Sequence, residues 1–182
     1  MAPKVPFALP DSMNLHQPER PTIGTSEFRS AMAAMGATVC VVSSRLGDEM
    51  VGRTVTSVLS LSIAPPSILV SIDIASRLAE IVAQTKIFSI AMLSDGQSEV
   101  ADAFAGRLDP ADRFGAGTWS AWPSGNPMLM EAVSTFDCEV IGSMETGTHM
   151  LFAGAIVQAE TITSRSPLIW QRHGYHRVTP LE

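Results

Sequence analysis

Lysine is nearly missing from this chain. Lys4 and Lys86 are the only two, and acidic residues outnumber basic ones 18 to 12, for a formal net charge of −6. That balance argues against a nucleic-acid binder, whose footprint is a basic surface. Nor is there a G-x-x-x-x-G-K phosphate loop, a strand-borne G-x-G-x-x-G or a Gly-x-Ser-x-Gly elbow, so nucleotide-fold and serine-hydrolase chemistry lack their usual marks. Two cysteines, Cys40 and Cys138, make no disulfide framework and have no ligand-type spacing, which predicts a reducing compartment, the cytoplasm. No apolar run approaches the ~18 residues of a membrane span. Residues 1–15 lack the compact apolar stretch of a secretory signal.

What the chain does have is apolar bulk. Of 182 residues, 46% are hydrophobic and 16% charged, enough for one domain with a sizeable core and too apolar for general disorder. Five of the twelve prolines fall in the first 21 residues. Each fixes φ and removes a backbone donor, so 1–24 is expected to be an extended arm ahead of a domain over 25–182.

Thr25 or Ser26 precedes Phe28, Met32 and Met35 at helical spacing, and Gly36 stops that helix. Strands are predicted at Ala37–Ser44, Met50–Val58, Ser67–Asp73 and Ile87–Leu93, with short helices at Ser76–Thr85 and Ser98–Phe104. Arg107–Pro127, rich in Gly, Pro, Trp and Asp, reads as a long surface excursion. Ser134–Val140 alternates apolar and polar residues, as a half-buried strand does. In Met150–Ala159 both alternating sets are mostly apolar, which predicts a strand covered on both faces and a subunit contact. Leu168–Gln171 and Tyr175–Val178 complete about seven strands. Three short helices without regular βαβ interleaving point to a mainly β fold, an antiparallel barrel with short α-helices.

Five clusters carry polar chemistry, and each has an ordinary structural explanation. Arg53 to Ser60 is dense in hydroxyls at a strand end, where it could hold a phosphate or simply use threonine for its strand propensity. Ser76-Arg77 is a bidentate donor site or a plain helix cap. Phe104-Ala105-Gly106-Arg107 ends a helix in small residues and a cation. Gly147-Thr148-His149 sits at a turn between strands, and His173-Gly174-Tyr175 holds the only tyrosine, whose buried ring would need a partner for its hydroxyl. His173 and His176 have no acidic or thiol partner nearby in sequence, so no metal site is assigned.

In their order along the chain these pieces resemble the short-chain flavin reductase family, the reductase components of two-component flavin monooxygenases. The matching segments are Phe28-Arg29-Ser30-Ala31-Met32, Gly52 to Ser57, Ser62 to Val70 with its Pro65-Pro66, and Ser76-Arg77. They continue through Asp112-Arg113-Phe114, Phe136-Asp137-Cys138-Glu139, Gly147-Thr148-His149 and Gly174-Tyr175-His176-Arg177. Arg53 stands where the family commonly has an apolar residue.

The resemblance implies an antiparallel Greek-key split barrel of the FMN-binding type, a homodimer with FMN, or FAD, near the subunit contact. It implies that Thr54, Val55, Thr56 and Ser57 hold the flavin, that Ser71, Ile72 and Asp73 line its ring, and that Ser76 and Arg77 meet the ribityl phosphate. Phe104, Ala105, Gly106 and Arg107 would close the far side, with His149 and Tyr175 as the catalytic pair on the nicotinamide side. The implied activity is NADH- or NADPH-dependent flavin reduction, feeding reduced flavin to a partner monooxygenase. Such a hydride transfer needs stacking at the right distance rather than an acid–base dyad. A flavin-mediated reductase of a cobalt corrinoid, and a flavin- or haem-binding dimer without turnover, are the alternatives, because fold alone does not separate them.

Overall fold

Helix α1 (Thr25–Ala33) leads into a chain of short strands, β1 (Ala37–Thr38), β2 (Cys40–Leu46), β3 (Glu49–Val55), β4 (Val58–Ile63) and β5 (Pro66–Asp73). The computed structural model describes residues 18–181. Helix α2 (Arg77–Thr85) and β6 (Ile87–Met92) follow, then α3 (Ser98–Asp102), which continues as a π-helical turn over Ala103–Arg107. A 3-10 turn (Arg113–Gly115), β7 (Trp119–Ala121) and β8 (Pro127–Leu129) lead to the long pair β9 (Ser134–Glu145) and β10 (His149–Thr161). Strands β11 (Leu168–Gln171) and β12 (Gly174–Arg177) come last.

The main sheet runs β3-β2-β6-β9-β10-β5-β4, and every neighbouring pair is antiparallel. Its two outermost strands, β3 and β4, are consecutive in sequence and joined by Thr56 and Ser57 alone. That link spans three Cα steps, ~11 Å at most, so the two edges must meet at one end and the sheet must curl. No ladder joins β3 to β4 among the described residues. The sheet is therefore curled but not a closed barrel, and the fold is mainly β with antiparallel sheets.

The concave side is filled by Val42, Val70, Phe88, Ile90, Cys138 and Phe152. Gly154 on β10 has no side chain because the Phe88 ring occupies the space a Cβ would take. Helix α2 covers this core with Leu78, Ala79, Ile81 and Val82. Ser76 caps it, its hydroxyl accepting from the Ala79 N–H at 3.2 Å, and Lys86 ends it in the left-handed region at φ 62°. A second core joins Val39, Val41, Leu93, Phe104, Leu129 and Leu168. Burial drives both thiols, Cys40 and Cys138, up to about 12, so they remain neutral core groups.

Several expectations need correction. The strand expected over Met50–Val58 ends at Val55, and β4 is a separate element. Thr56 and Ser57 have strand-compatible side chains and neither Gly nor Pro, so the corner leaves no mark in the sequence. Ala37–Ser44 divides at Val39, whose N–H donates to the Leu168 carbonyl at 2.9 Å while its own carbonyl accepts from Leu93. The excursion Arg107–Pro127 is not merely surface: Phe114 and Trp119 pack on Phe104, and Asn126 is fully buried against Asp137. Strand β10 is covered in its first half, but Val157 to Thr161 are exposed. Of the arm over 1–24, Pro3, Pro6 and Pro10 lie outside the described residues, and residues 18–24 are exposed.

Candidate functional site

Three strand ends and a helix cap converge where the sheet edges meet. Arg53, Thr54 and Val55 come from β3, Thr56 and Ser57 from the corner, Ser71, Ile72 and Asp73 from the end of β5, with Ser76 from the cap of α2 and His149 from the start of β10. Together they line one cleft of ≈ 290 Å³. The convergence follows from register. His149 lies directly across from Asp73 in the β10–β5 ladder. Ser57 is stitched twice to Ser71, through its carbonyl, which accepts from the Ser71 N–H at 3.1 Å, and through its hydroxyl, which donates to the Ser71 carbonyl at 2.8 Å.

Many of the cleft's polar groups are already engaged in building it. The Thr54 hydroxyl donates to the Ala101 carbonyl at 2.6 Å, tying β3 to α3. The Ser76 hydroxyl donates to the Asp73 carbonyl at 2.6 Å while capping α2, and the Asp73 carboxylate accepts from the Ala75 N–H at 2.9 Å. His149 Nδ1 meets the Thr148 hydroxyl at 2.9 Å, and among the described residues Nε2 has no partner. Among the described residues, the Thr56 hydroxyl and the Arg53 guanidinium have no partner. Arg53 belongs to the cleft lining, although the sequence-based binding set began at Thr54. Its signal was its departure from the apolar residue common at that position.

Arg77 does not line this cleft. It makes a bidentate pair with Glu49, 2.9 Å at one limb, and a second pair with Glu80 at 2.7 Å, and it faces an adjoining cavity. Those hydrogen bonds hold the Glu49 carboxyl below the usual carboxylate range and raise Arg77 further.

The segment Phe104–Arg107 is also outside the cleft. Phe104 is fully buried, with its ring 5.0 Å from Phe114 and 5.4 Å from Trp119. A Cβ on Gly52 would come within 2.7 Å of that ring. Ala105, Gly106 and Arg107 are exposed on the π-helical turn, where Gly106 takes φ 104°. Arg107 pairs with Asp102 at 2.9 Å, and Asp102 also accepts from the Tyr175 hydroxyl at 2.8 Å. Tyr175 packs edge-on against Trp170 at 4.9 Å. Desolvation, then the Asp102 hydrogen bond and charge, push its phenol up to about 12. Tyr175, unlike His149, does not line the cleft; it and the threonine segment meet the same short helix, at Asp102 and Ala101 respectively. His173 sits at positive φ in the β11–β12 turn, and His176 Nε2 lies 3.0 Å from the Gln171 carbonyl.

A cleft rich in hydroxyls, with an unpaired guanidinium and a free imidazole nitrogen, offers donors to a ligand rich in acceptors. The first-turn N–H groups of α2 add a positive dipole end beside Ser76.

A family model described as a flavin reductase like domain matches residues 32–179. The chain is 33% identical over 169 residues to an FMN reductase (NADH) RutF of Ancylobacter novellus, covering 92% of this chain and 93% of that protein. It is 33% identical over 155 residues to the reductase component of an FADH(2)-dependent resorcinol hydroxylase of a Rhizobium species, covering 84% and 87%. Among solved structures, the styrene monooxygenase flavin reductase of Pseudomonas putida S12 superposes with a TM-score of 0.75 at 27% identity, over 86% of this chain and 99% of that one.

Proposed function

The chain belongs to the flavin reductase-like family, and on that premise we propose that its cleft binds FMN or FAD and brings NADH or NADPH against it, so that reduced flavin can be supplied to a partner monooxygenase. The protein is an oxidoreductase of the flavin reductase type. The observation that carries the site assignment is the convergence of the β3 end, the Thr56-Ser57 corner, the β5 end and the α2 cap on one cleft. Its donor set fits the group: hydroxyls and backbone N–H groups for a flat ring rich in acceptors, and a capped helix start for a phosphate. When bound, the flavin supplies the hydride-accepting chemistry, which no side chain of this protein provides.

The residues' work is positional. Thr54 fixes the wall through Ala101, while Thr56 keeps its hydroxyl free for the ligand. Ser71, Ile72 and Asp73 form the opposite wall, held by the stitch to Ser57. Ser76 and the first turn of α2 meet the ribityl phosphate, with Arg77 reached once its pair with Glu49 opens. His149, anchored through Nδ1, directs Nε2 toward the nicotinamide amide. Tyr175 orders α3 and the Phe104–Arg107 turn through Asp102 and borders the nicotinamide side.

The split-barrel description of the fold is supported by the two-residue link between the sheet's edges. A homodimer is supported by apolar groups left open in one copy: Phe28, Met32 and Met35 on α1, and Leu59, Leu61 and Ile63 on β4, all at least 46% exposed. No helix among the described residues is long and apolar enough to cross a membrane, and two unpaired, buried thiols suit the cytoplasm.

The test is anaerobic titration of the protein and FMN or FAD with NADH. Bleaching of the flavin's visible absorbance, at a rate set by protein concentration, is the expected result. Binding without bleaching would overturn the enzymatic reading.

A further inference from the structure

A separate cavity of ≈ 440 Å³ has only Thr56 in common with the flavin cleft. It opens where a ladder ends. The β10–β5 pairing stops at Ala155 and Ser67, and beyond that point β10 continues along β9 alone among the described residues. Ser67 and Ile156, at this parting, both line the cavity. Cys40 and Ile68, 1% and 3% exposed, give it a buried lining.

That lining differs in kind from the flavin cleft. No Lys, Arg, His, Asp or Glu belongs to it, and burial pushes the Cys40 thiol up to about 12, so the thiol stays neutral. An anion or a cation entering here would lose its hydration without meeting a counter-charge. An uncharged ligand escapes that cost. Phe136 contributes an aromatic ring and Met35 and Met92 contribute thioethers, groups that favour contact with a further ring. One polar group is left over in these surroundings. Ser67 is 4% exposed, and its hydroxyl has no hydrogen-bond partner. Buried hydroxyls are seldom left so, and a single hydroxyl on a ligand would satisfy it. The volume lies within the ~300–1,000 Å³ of small-molecule sites.

We propose that this cavity binds a small neutral aromatic alcohol, a phenol, with its ring among Phe136, Met35 and Met92 and its hydroxyl paired with Ser67. The site goes beyond the flavin reading and does not depend on it.

Phenol and toluene are the probes, because they share a ring and differ in the hydroxyl. Calorimetric titration of the full chain without flavin should show saturable phenol binding. Ser67→Ala, conservative in size, should weaken phenol about tenfold and leave toluene within about twofold. Independently of any variant, phenol should shift the methyl resonances of Met35 and Met92 in the unmodified chain labelled at methionine methyls. No saturable phenol binding, equal losses for the two probes, or unmoved Met35 and Met92 methyls would overturn the proposal. Titration with FMN at saturating phenol should still show flavin binding. Displacement of FMN by phenol would put the probe in the flavin cleft and overturn it too. Met35 and Leu59 belong both to this lining and to the apolar surface read above as a homodimer contact. Sedimentation should therefore show an unchanged assembly in phenol, since dissociation in step with phenol would make the cavity the seat of the second copy. Failure to bind FMN at any phenol concentration would bring down the flavin reading and leave the phenol site standing.

Discussion

The only tyrosine of the chain, Tyr175, donates its hydroxyl to Asp102 at 2.8 Å, and Asp102 is at the same time paired with Arg107 at 2.9 Å. Desolvation and the carboxylate both disfavour the phenolate, which places this phenol at about 12 against an ordinary ~10. The sign follows from linkage: a raised acid group favours its protonated form in the fold. Its stabilisation is fully present below ~10 and is lost as the pH rises through about 12. Because no second tyrosine exists, the ultraviolet tyrosinate band titrates one group. Its midpoint should lie well above ~10, and Asp102→Asn should lower it while leaving the desolvation part in place.

His149 is held across from Asp73 with Nε2 free. His149→Ala should reduce kcat/KM for NADH by about 10- to 100-fold, the scale of lost reactant positioning. Flavin affinity, measured by fluorescence titration, should change much less. An equal loss in both would make the residue part of the flavin wall instead.

Gly52 and Phe104 are matched in shape. A methyl at Gly52 would stand 2.7 Å from the ring, and Phe104 is locked between Phe114 and Trp119. Gly52→Ala should therefore cost about 1–3 kcal/mol by overpacking. Thermal denaturation should register this as a drop of ~2–4 °C for each kcal/mol.

Glu49 competes with any phosphate for Arg77, since its carboxylate occupies two of the guanidinium's donors. Glu49→Gln should tighten FMN by about threefold, the modest scale of an exposed ion pair. The gain should fade at high ionic strength. Weaker binding in this variant would mean that Glu49 orients Arg77 rather than withholding it.

Much of this was legible because some residues say what they do locally. Ser76 followed by Leu78, Ile81 and Val82 announces a capped amphipathic helix, and the alternation of Phe136, Cys138 and Val140 announces a strand. The residues expected around the flavin were read as an ordered set of motifs; the fold gathers Thr54 to Ser57, Ser71 to Asp73, Ser76 and His149 on one cleft, and register explains why Asp73 and His149 share a wall. The corner at Thr56-Ser57 was hidden because it is made by tertiary curling and not by turn residues. Phe104 was placed at the ligand although the fold buries it, since a one-dimensional pattern does not distinguish a ring facing a cofactor from one facing Gly52. Arg77 was legible as a cation beside the cap, but its partner Glu49 is 28 positions away in sequence.

The two-residue link between β3 and β4 makes the proposed flavin cleft a clasp on an otherwise unfastened sheet. Whatever settles against Thr56 and Ser57 bridges strands that share no ladder of their own. Cofactor loading and resistance to heat should thus rise together, and emptying the cleft should loosen the two margins of the sheet before it disturbs the middle.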